Sequence, residues 1–237
     1  MIKNNNTSKY DEKYLITHKI RSFVRHQGRI TKKQKYALTN QWEGVGIDFI
    51  KKPCVFKKIF NNLNMVIMEI GFGMGTSLIS TAIKNPEKNF LGIEVYTPGI
   101  GSCLSSIKAN NIKNLKIIHH DAIEVLDFMI PDNSLSTIQL FFPDPWYKKK
   151  HNKRRIVKIT FAEKIYSKLI PKGIFHMATD CDQYAKYALN IFSIIKGFNN
   201  ISNINNHMSN KEIRPETKFE KRGKKLCHNI HDLIFKK

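Results

Sequence analysis

From Asn61 onward, short runs rich in Val, Ile, Leu and Phe alternate with longer stretches of helical spacing, and no other feature restricts the fold as much. NMVIMEIGFG reads as a buried strand entering a glycine turn, and TSLISTAIKN reads as the helix after it. NFLGIEV, NLKIIHHDA, TIQLFFPDPW and GIFHMATD repeat the strand pattern. GIGSCLSSIKANN, IEVLDFMI, ITFAEKIYSKLI and CDQYAKYALNIFSII repeat the helical one. Strand and helix taken in turn at this spacing predict an α/β chain with a doubly wound, mostly parallel sheet covered on both faces. GFNNISNI and HNIHDLIF, separated by a polar loop, predict two more strands, and there is no internal repeat.

Residues 1–60 have a different texture, polar, basic and short of apolar periodicity, so the expected organisation is a flexible basic extension over 1–60 and a catalytic-size domain over 61–237. Within the extension, IRSFVRHQGRITKKQK sets arginines beside Phe23 and Gly28, as an arm that orders on a partner would. The first ten residues lack a secretory apolar core, and no apolar run reaches membrane-spanning length. Cys54, Cys103, Cys181 and Cys227 form no CxxC pair, which predicts reduced thiols in a cytoplasmic protein without a metal site. Lys and Arg number 40 against 19 Asp and Glu, for a formal charge of +21. That excess suits a polyanion such as nucleic acid. The preference for lysine over arginine, with abundant Asn and Ile, is also what an AT-rich genome produces, so the position of the charge matters more than its sum.

The glycine turn is the place to look for a ligand, since doubly wound sheets bind at the carboxyl ends of their strands. MEIGFGMG puts Glu69, Gly71, Gly73 and Gly75 there, with the spacing GxGxG instead of the GxGxxG of dinucleotide binders. A carboxylate just before the glycines would repel a pyrophosphate but attract the ammonium of S-adenosylmethionine. Three more acids end successive strands. Glu94 is placed to accept ribose hydroxyls, Asp121 to reach an adenine amine, and Asp144 stands in FFPDPW. One such acid would be an ordinary helix cap. Four in chain order around one glycine loop predict a methyl-donor pocket.

Beside that pocket, PDPW runs directly into YKKKHNKRR. The cations Lys148, Lys149, Lys150, Lys153, Arg154 and Arg155 would grip phosphates while the pocket works on a base; the plainer alternative is a solvated helix start. Phe142 and Trp146 suit either a core or a stacking surface.

In these motifs the chain resembles the bacterial tRNA (guanine-N7)-methyltransferases, which act on guanine 46 of the variable loop. The resemblance is carried by RSFVRHQGR, EIGFGMG, FLGIEV, HHDA, FFPDPW with KKKHNKRR, ATD at 178–180, and TKFEKRG at 217–223. It implies a class I methyltransferase (Rossmann-like) sheet of seven strands with the last antiparallel. It implies that Glu69, Gly71, Gly73, Gly75, Glu94, Asp121 and Asp144 bind the donor. Lys148, Asp180, Thr217, Lys218, Phe219 and Glu220 would then meet the substrate guanine or its surroundings. Lys150, His151, Asn152, Lys153, Arg154 and Arg155 would hold tRNA, as a monomer or a homodimer. Tyr147 departs from the pattern, since the family often has His after the Trp.

Guanine N7 carries a lone pair and no proton, so its methylation needs alignment and electrostatics more than a base. Asp144, held between Pro143 and Pro145, is the candidate catalytic carboxylate, with Asp180 and Glu220 sharing base recognition. Thr217 and Glu220 have capping-box spacing, but Gly223 and its charged neighbours predict a loop. His228 and His231 are expected as surface histidines. Two alternatives stay beside this reading: a base methyltransferase acting on an exocyclic amine, and a non-catalytic RNA-binding protein on the same fold. The first typically carries an [N/D]PP-aromatic motif where this chain has a single proline after Asp144, and the second has no reason to keep all four acids.

Overall fold

The computed structural model describes residues 20–24, 28–202 and 214–237. The first nineteen residues of the expected extension, Arg25 of its arginine cluster, and the polar loop before the last strand lie outside the described residues.

The expected alternation is present. In chain order the domain runs β1 (Val66–Ile70), α3 (Thr76–Lys84), β2 (Asn89–Glu94), α4 (Thr97–Ala109), β3 (Leu115–His119) and α5 (Ala122–Phe128). It continues with β4 (Leu135–Phe141), a 3-10 helix (Lys149–Arg154), α6 (Ile159–Lys168), β5 (Leu169–Thr179), α7 (Asp182–Ile194), β6 (Asn199–Asn200), α8 (Lys218–Lys225) and β7 (His231–Lys236). Two short helices precede it, α1 (Lys32–Asn40) and α2 (Phe56–Phe60). The seven strands are ordered β3-β2-β1-β4-β5-β7-β6. The five from β3 to β5 are parallel, and β7 runs antiparallel between β5 and β6. The strand order reverses direction between β1 and β4, the position where such sheets open a crevice.

Side chains alternate across the pleat. Met68, Ile70, Leu91, Ile93, Ile138 and Leu140 point to one face, where Val125, Phe161, Ile165, Tyr184 and Phe192 from α5, α6 and α7 cover them. Phe90 and Ile117 point to the other, under Leu78, Ile79, Ile100 and Leu104 of α3 and α4. Glu69 shares the parity of this second face. Its register partner on β4 is Gln139, whose own partner on β5 is His176. Glu69, Gln139 and His176 therefore form a polar row across this face of the sheet.

Two expectations change. Residues 28–60, grouped with the extension, pack on the domain: Thr31 caps α1 and exchanges hydrogen bonds with Gln34 in a capping box, and Ala37 is buried against the α4 side. Further along, Ile47 N–H donates to Ile117 and Cys54 N–H donates to Met129. The helix was missed because its only deeply buried side chain is a single alanine, so it has almost no apolar period. The stretch after Thr217 is also a helix instead of a loop: Thr217 Oγ1 accepts from the Glu220 N–H at 3.1 Å. Gly223 is in it because an added Cβ would lie 3.1 Å from Asp180 Cβ.

Candidate active site

The site forms where β1 and β4 part. A cavity of about 210 Å³ is lined by Gly71, Glu94, Asp121, Phe141, Phe142 and Asp144, together with Ser22 and Phe23 of the N-terminal arm. Three of the four strand-end acids therefore converge on it. Glu69 lies behind, 3% exposed, with a carboxyl that burial and then the charge of Glu94 push up to about 8, against a smaller lowering by Arg214.

The glycine loop is built around Glu94. Gly71 and Gly73 have φ of 75° and 58°, where a side chain is strained although a Cβ would meet nothing within 4 Å. That left-handed path turns the Gly73 N–H onto Glu94 Oε2 at 2.7 Å, while Oε1 accepts from the N–H groups of Val95 and Tyr96 at 2.6 and 2.9 Å. Burial still pushes the Glu94 carboxyl up, against those three bonds. A carboxylate offers about four acceptor positions, so one is left for a hydroxyl. Asp121 does two jobs: its Oδ1 caps α5 by accepting from the Ile123 N–H at 2.9 Å, and the residue lines the cavity. Beside it His120 stacks flat on Phe49 with centroids 3.7 Å apart. Gly99, which stands in none of the motifs above, lets α4 approach the glycine loop, since a Cβ there would fall 2.1 Å from the Gly73 carbonyl. Apolar walls, open space over the glycines and the carboxylates of Glu94, Asp121 and Asp144 along the lining fit a cationic, ribose-bearing donor such as S-adenosylmethionine.

Asp144 is exposed at the rim, on a turn whose neighbours are strained. Phe142 and Trp146 have φ of 51° and 48°, a region that bulky side chains rarely occupy. Neither is a core aromatic. Phe142 stacks on the exposed Phe219 at 6.3 Å, and the Trp146 indole N–H donates to the Ser22 carbonyl at 3.2 Å, tying the N-terminal arm to the turn.

The cationic run divides. Lys148, Lys149, Lys150 and Lys153 are exposed, and Arg154 lies over the Trp146 ring at 5.2 Å. Arg155, expected among the RNA contacts, points inward instead and is 2% exposed. Its Nε donates to the Pro145 carbonyl at 2.7 Å, and its guanidinium sits over Tyr184 and Tyr187. In sequence it is indistinguishable from Arg154; the Pro145 carbonyl and two tyrosines from α7 draw it in.

Lys148, Asp180, Thr217, Lys218, Phe219 and Glu220, expected at the base, are not among the residues that line the cavity. Asp180 is followed by α7 and has His228 Nδ1 3.3 Å away, while His231 Nε2 is 2.6 Å from Asp182. Thr217, Lys218 and Phe219 open α8 beside the turn. Glu220, expected to face the base, is 1% exposed and paired with Arg214 and Lys224 at 2.5 and 2.6 Å. Among the described residues no group of three or more His, Cys, Asp or Glu is placed to hold a metal, and no helix is long and apolar enough to cross a membrane.

The chain is similar to known methyltransferases. Residues 63–233 match a family model described as "Putative methyltransferase". The chain is 51% identical over 228 residues to the tRNA (guanine-N(7)-)-methyltransferase of Salmonella typhimurium, covering 96% of this chain and 95% of that one. It is 50% identical over 232 residues to the protein of the same name from Vibrio vulnificus, covering 98% and 97%. Among solved structures, the aminoglycoside resistance methyltransferase NpmB1 superposes with a TM-score of 0.50 at 11% identity, covering 76% of this chain and 91% of that one, a likeness of fold.

Proposed function

The chain belongs to the tRNA (guanine-N7)-methyltransferase family, and from that premise we propose that its cavity binds S-adenosylmethionine and that its PDPW turn presents guanine 46 of the tRNA variable loop to the bound donor. The donor supplies an electrophilic methyl group on a sulfonium, and guanine N7 displaces it with its lone pair. The N7–carbon bond forms as the carbon–sulfur bond breaks. No proton leaves N7, and the positive charge moves to the purine.

The chain's residues have matching tasks. Glu69, buried behind the cavity, supplies the negative charge that draws the donor's ammonium toward the glycine turn, and Glu94 takes a ribose hydroxyl at its one free acceptor position. A second hydroxyl would have to displace the Gly73 N–H. Asp121 serves the adenine end. Asp144 sits where positive charge develops on the purine and accepts from its ring N–H and amino groups, stabilising the transition state more than the ground state. Asp180 with Thr217, Lys218 and Phe219 forms the opposite wall, and Lys148 faces the same space. Lys150, Lys153 and Arg154 hold phosphates, as a cytoplasmic tRNA enzyme requires.

The observation that carries this reading is the joint placement of Glu94, Asp121 and Asp144 around one cavity whose rim continues into exposed cations. Incubation with unmodified tRNA and methyl-labelled donor, followed by nucleoside mapping, should place label in 7-methylguanosine at position 46. Label in an N6-methyladenosine or a methylcytidine, or none with a donor-binding protein, would sink it.

A further inference from the structure

Arg214 takes no part in the sequence argument, yet it is the most heavily committed side chain beneath the base-binding wall. Its side chain is 1% exposed. Nε and Nη2 donate to the two carboxylate oxygens of Asp232 at 2.7 and 3.2 Å, and Nη1 donates to Glu220 Oε2 at 2.5 Å. Asp232 is fixed on β7 by His176 of β5, 2.7 Å away. Burial pushes the Asp232 carboxyl up, but the bonds from His176 and Arg214 outweigh it and hold it below its ordinary range. The guanidinium carbon lies 5.3 Å from the Phe141 ring centre and 5.4 Å from that of Phe142.

One planar group thus joins three separate pieces: the sheet through Asp232, α8 through Glu220, and the strained turn through two rings. Phe142 holds φ of 51° and stacks at an interplanar angle of 19° on Phe219, the third residue of the Thr217–Glu220 segment. A left-handed phenylalanine persists only where its surroundings over-determine it. Here the guanidinium beneath and Phe219 beside it supply that constraint. Asp144 follows two residues later.

We propose that Arg214 is a positioning residue for methyl transfer: clamped between Asp232 and Glu220, it seats the Phe142–Phe219 wall and so fixes Asp144 and the start of α8 relative to the incoming guanine. The proposal rests on the base-site assignment above. Lysine cannot replace it, because an ammonium lacks the planar fork that serves two carboxylates and lies flat under rings. Arg214 also lowers the titration of Glu69, so its charge reaches the donor side of the same sheet face.

The test compares Arg214→Lys, Phe142→Leu and the double variant, each measured for kcat, tRNA KM, S-adenosylmethionine Kd by calorimetry, and thermal unfolding. Displacement of reacting groups by about 1 Å costs about 100-fold. Arg214→Lys should therefore lose about 100-fold in kcat while tRNA KM and donor Kd stay within about threefold. The double variant should be no more than about threefold worse than the poorer single one, since both act through one wall. Losses that multiply, or a folded Arg214→Lys with kcat within about threefold of the parent, would overturn the proposal. Should Arg214→Lys not bind donor, Glu220→Gln releases the same clamp and carries the same expectation: kcat lost with donor Kd kept, and retained kcat refuting it. Failure of the parent protein to form 7-methylguanosine would instead refute the base-site assignment.

Discussion

If Glu69 is the counter-charge of the donor's ammonium, as proposed above, binding of the donor should expel a proton, because this buried carboxyl titrates near 8 and must ionise to serve that ammonium. At pH 7 a group titrating at about 8 is roughly 90% protonated, whereas a donor α-amino group near 7.8 is already mostly charged and takes up only about 0.15 proton. The net release should be about 0.75 proton per donor bound. Below pH 7 the amino group is fully charged and only the carboxyl titrates. Each unit of pH then costs about 1.4 kcal/mol, so affinity should rise about tenfold from pH 6 to pH 7. Calorimetry in buffers of different ionisation enthalpy reads the proton directly. Glu69→Gln should abolish the release, leave a slight uptake, and flatten the pH dependence at a weaker affinity. A parent protein that binds donor with no net proton release at pH 7, and with equal affinity at pH 6 and 7, would refute the placement of this carboxylate against the ammonium. The same linkage acts on folding. A carboxyl raised in the folded state gives stability that is fully present below its unfolded value of 4.5 and lost as pH rises through about 8. Glu69→Gln should accordingly raise the Tm of the donor-free protein at pH 8.5 and change it little at pH 4.

Lys153 and Arg155 should separate cleanly although they are near neighbours. Lys153→Ala should leave stability within about 0.5 kcal/mol, raise tRNA KM and flatten its salt dependence, whereas Arg155→Ala should cost about 2–4 kcal/mol in denaturant unfolding through its lost carbonyl bond and ring contacts. Equal effects on tRNA KM without a stability difference would contradict the inward placement. Gly99→Ala puts a Cβ 2.1 Å from the Gly73 carbonyl, so the glycine loop must shift; donor Kd should weaken at least about tenfold, with about 1–3 kcal/mol lost from stability, and an unchanged Kd would argue against the loop's role. Asp144→Asn should lower kcat at least about 100-fold with donor Kd nearly intact, and full turnover in a verified variant would remove the carboxylate from catalysis.

The glycine cavity was legible because its signals are local. A strand end, left-handed glycines and an acid fall within one short stretch of sequence, and the backbone forces them together whatever packs around them. The surroundings of the PDPW turn were legible only as a set of residue types. Whether a cation in KKKHNKRR faces RNA or the interior depends on a carbonyl at Pro145 and tyrosines of α7, which local spacing does not encode. Glu220 shows the same limit from the other sign of charge. Its spacing from Thr217 suggested a cap, and its motif suggested a base contact. The structure forms the cap that Gly223 and its charged neighbours had argued against, through the Glu220 N–H, while the Glu220 carboxylate goes to Arg214.

Arg155 and Arg214 together explain why a strongly cationic chain keeps two of its few arginines out of solvent. The PDPW turn must hold two aromatics in left-handed conformations, and that strain would relax if the turn were merely exposed. Arg155 holds it from the α7 side through the Pro145 carbonyl, and Arg214 supports it from the β7 side through the rings of Phe141 and Phe142. Lysines suffice for phosphate attraction, which needs charge and little geometry. Fixing a turn needs a planar group that donates in more than one direction, which Arg155 and Arg214 supply and an ammonium does not.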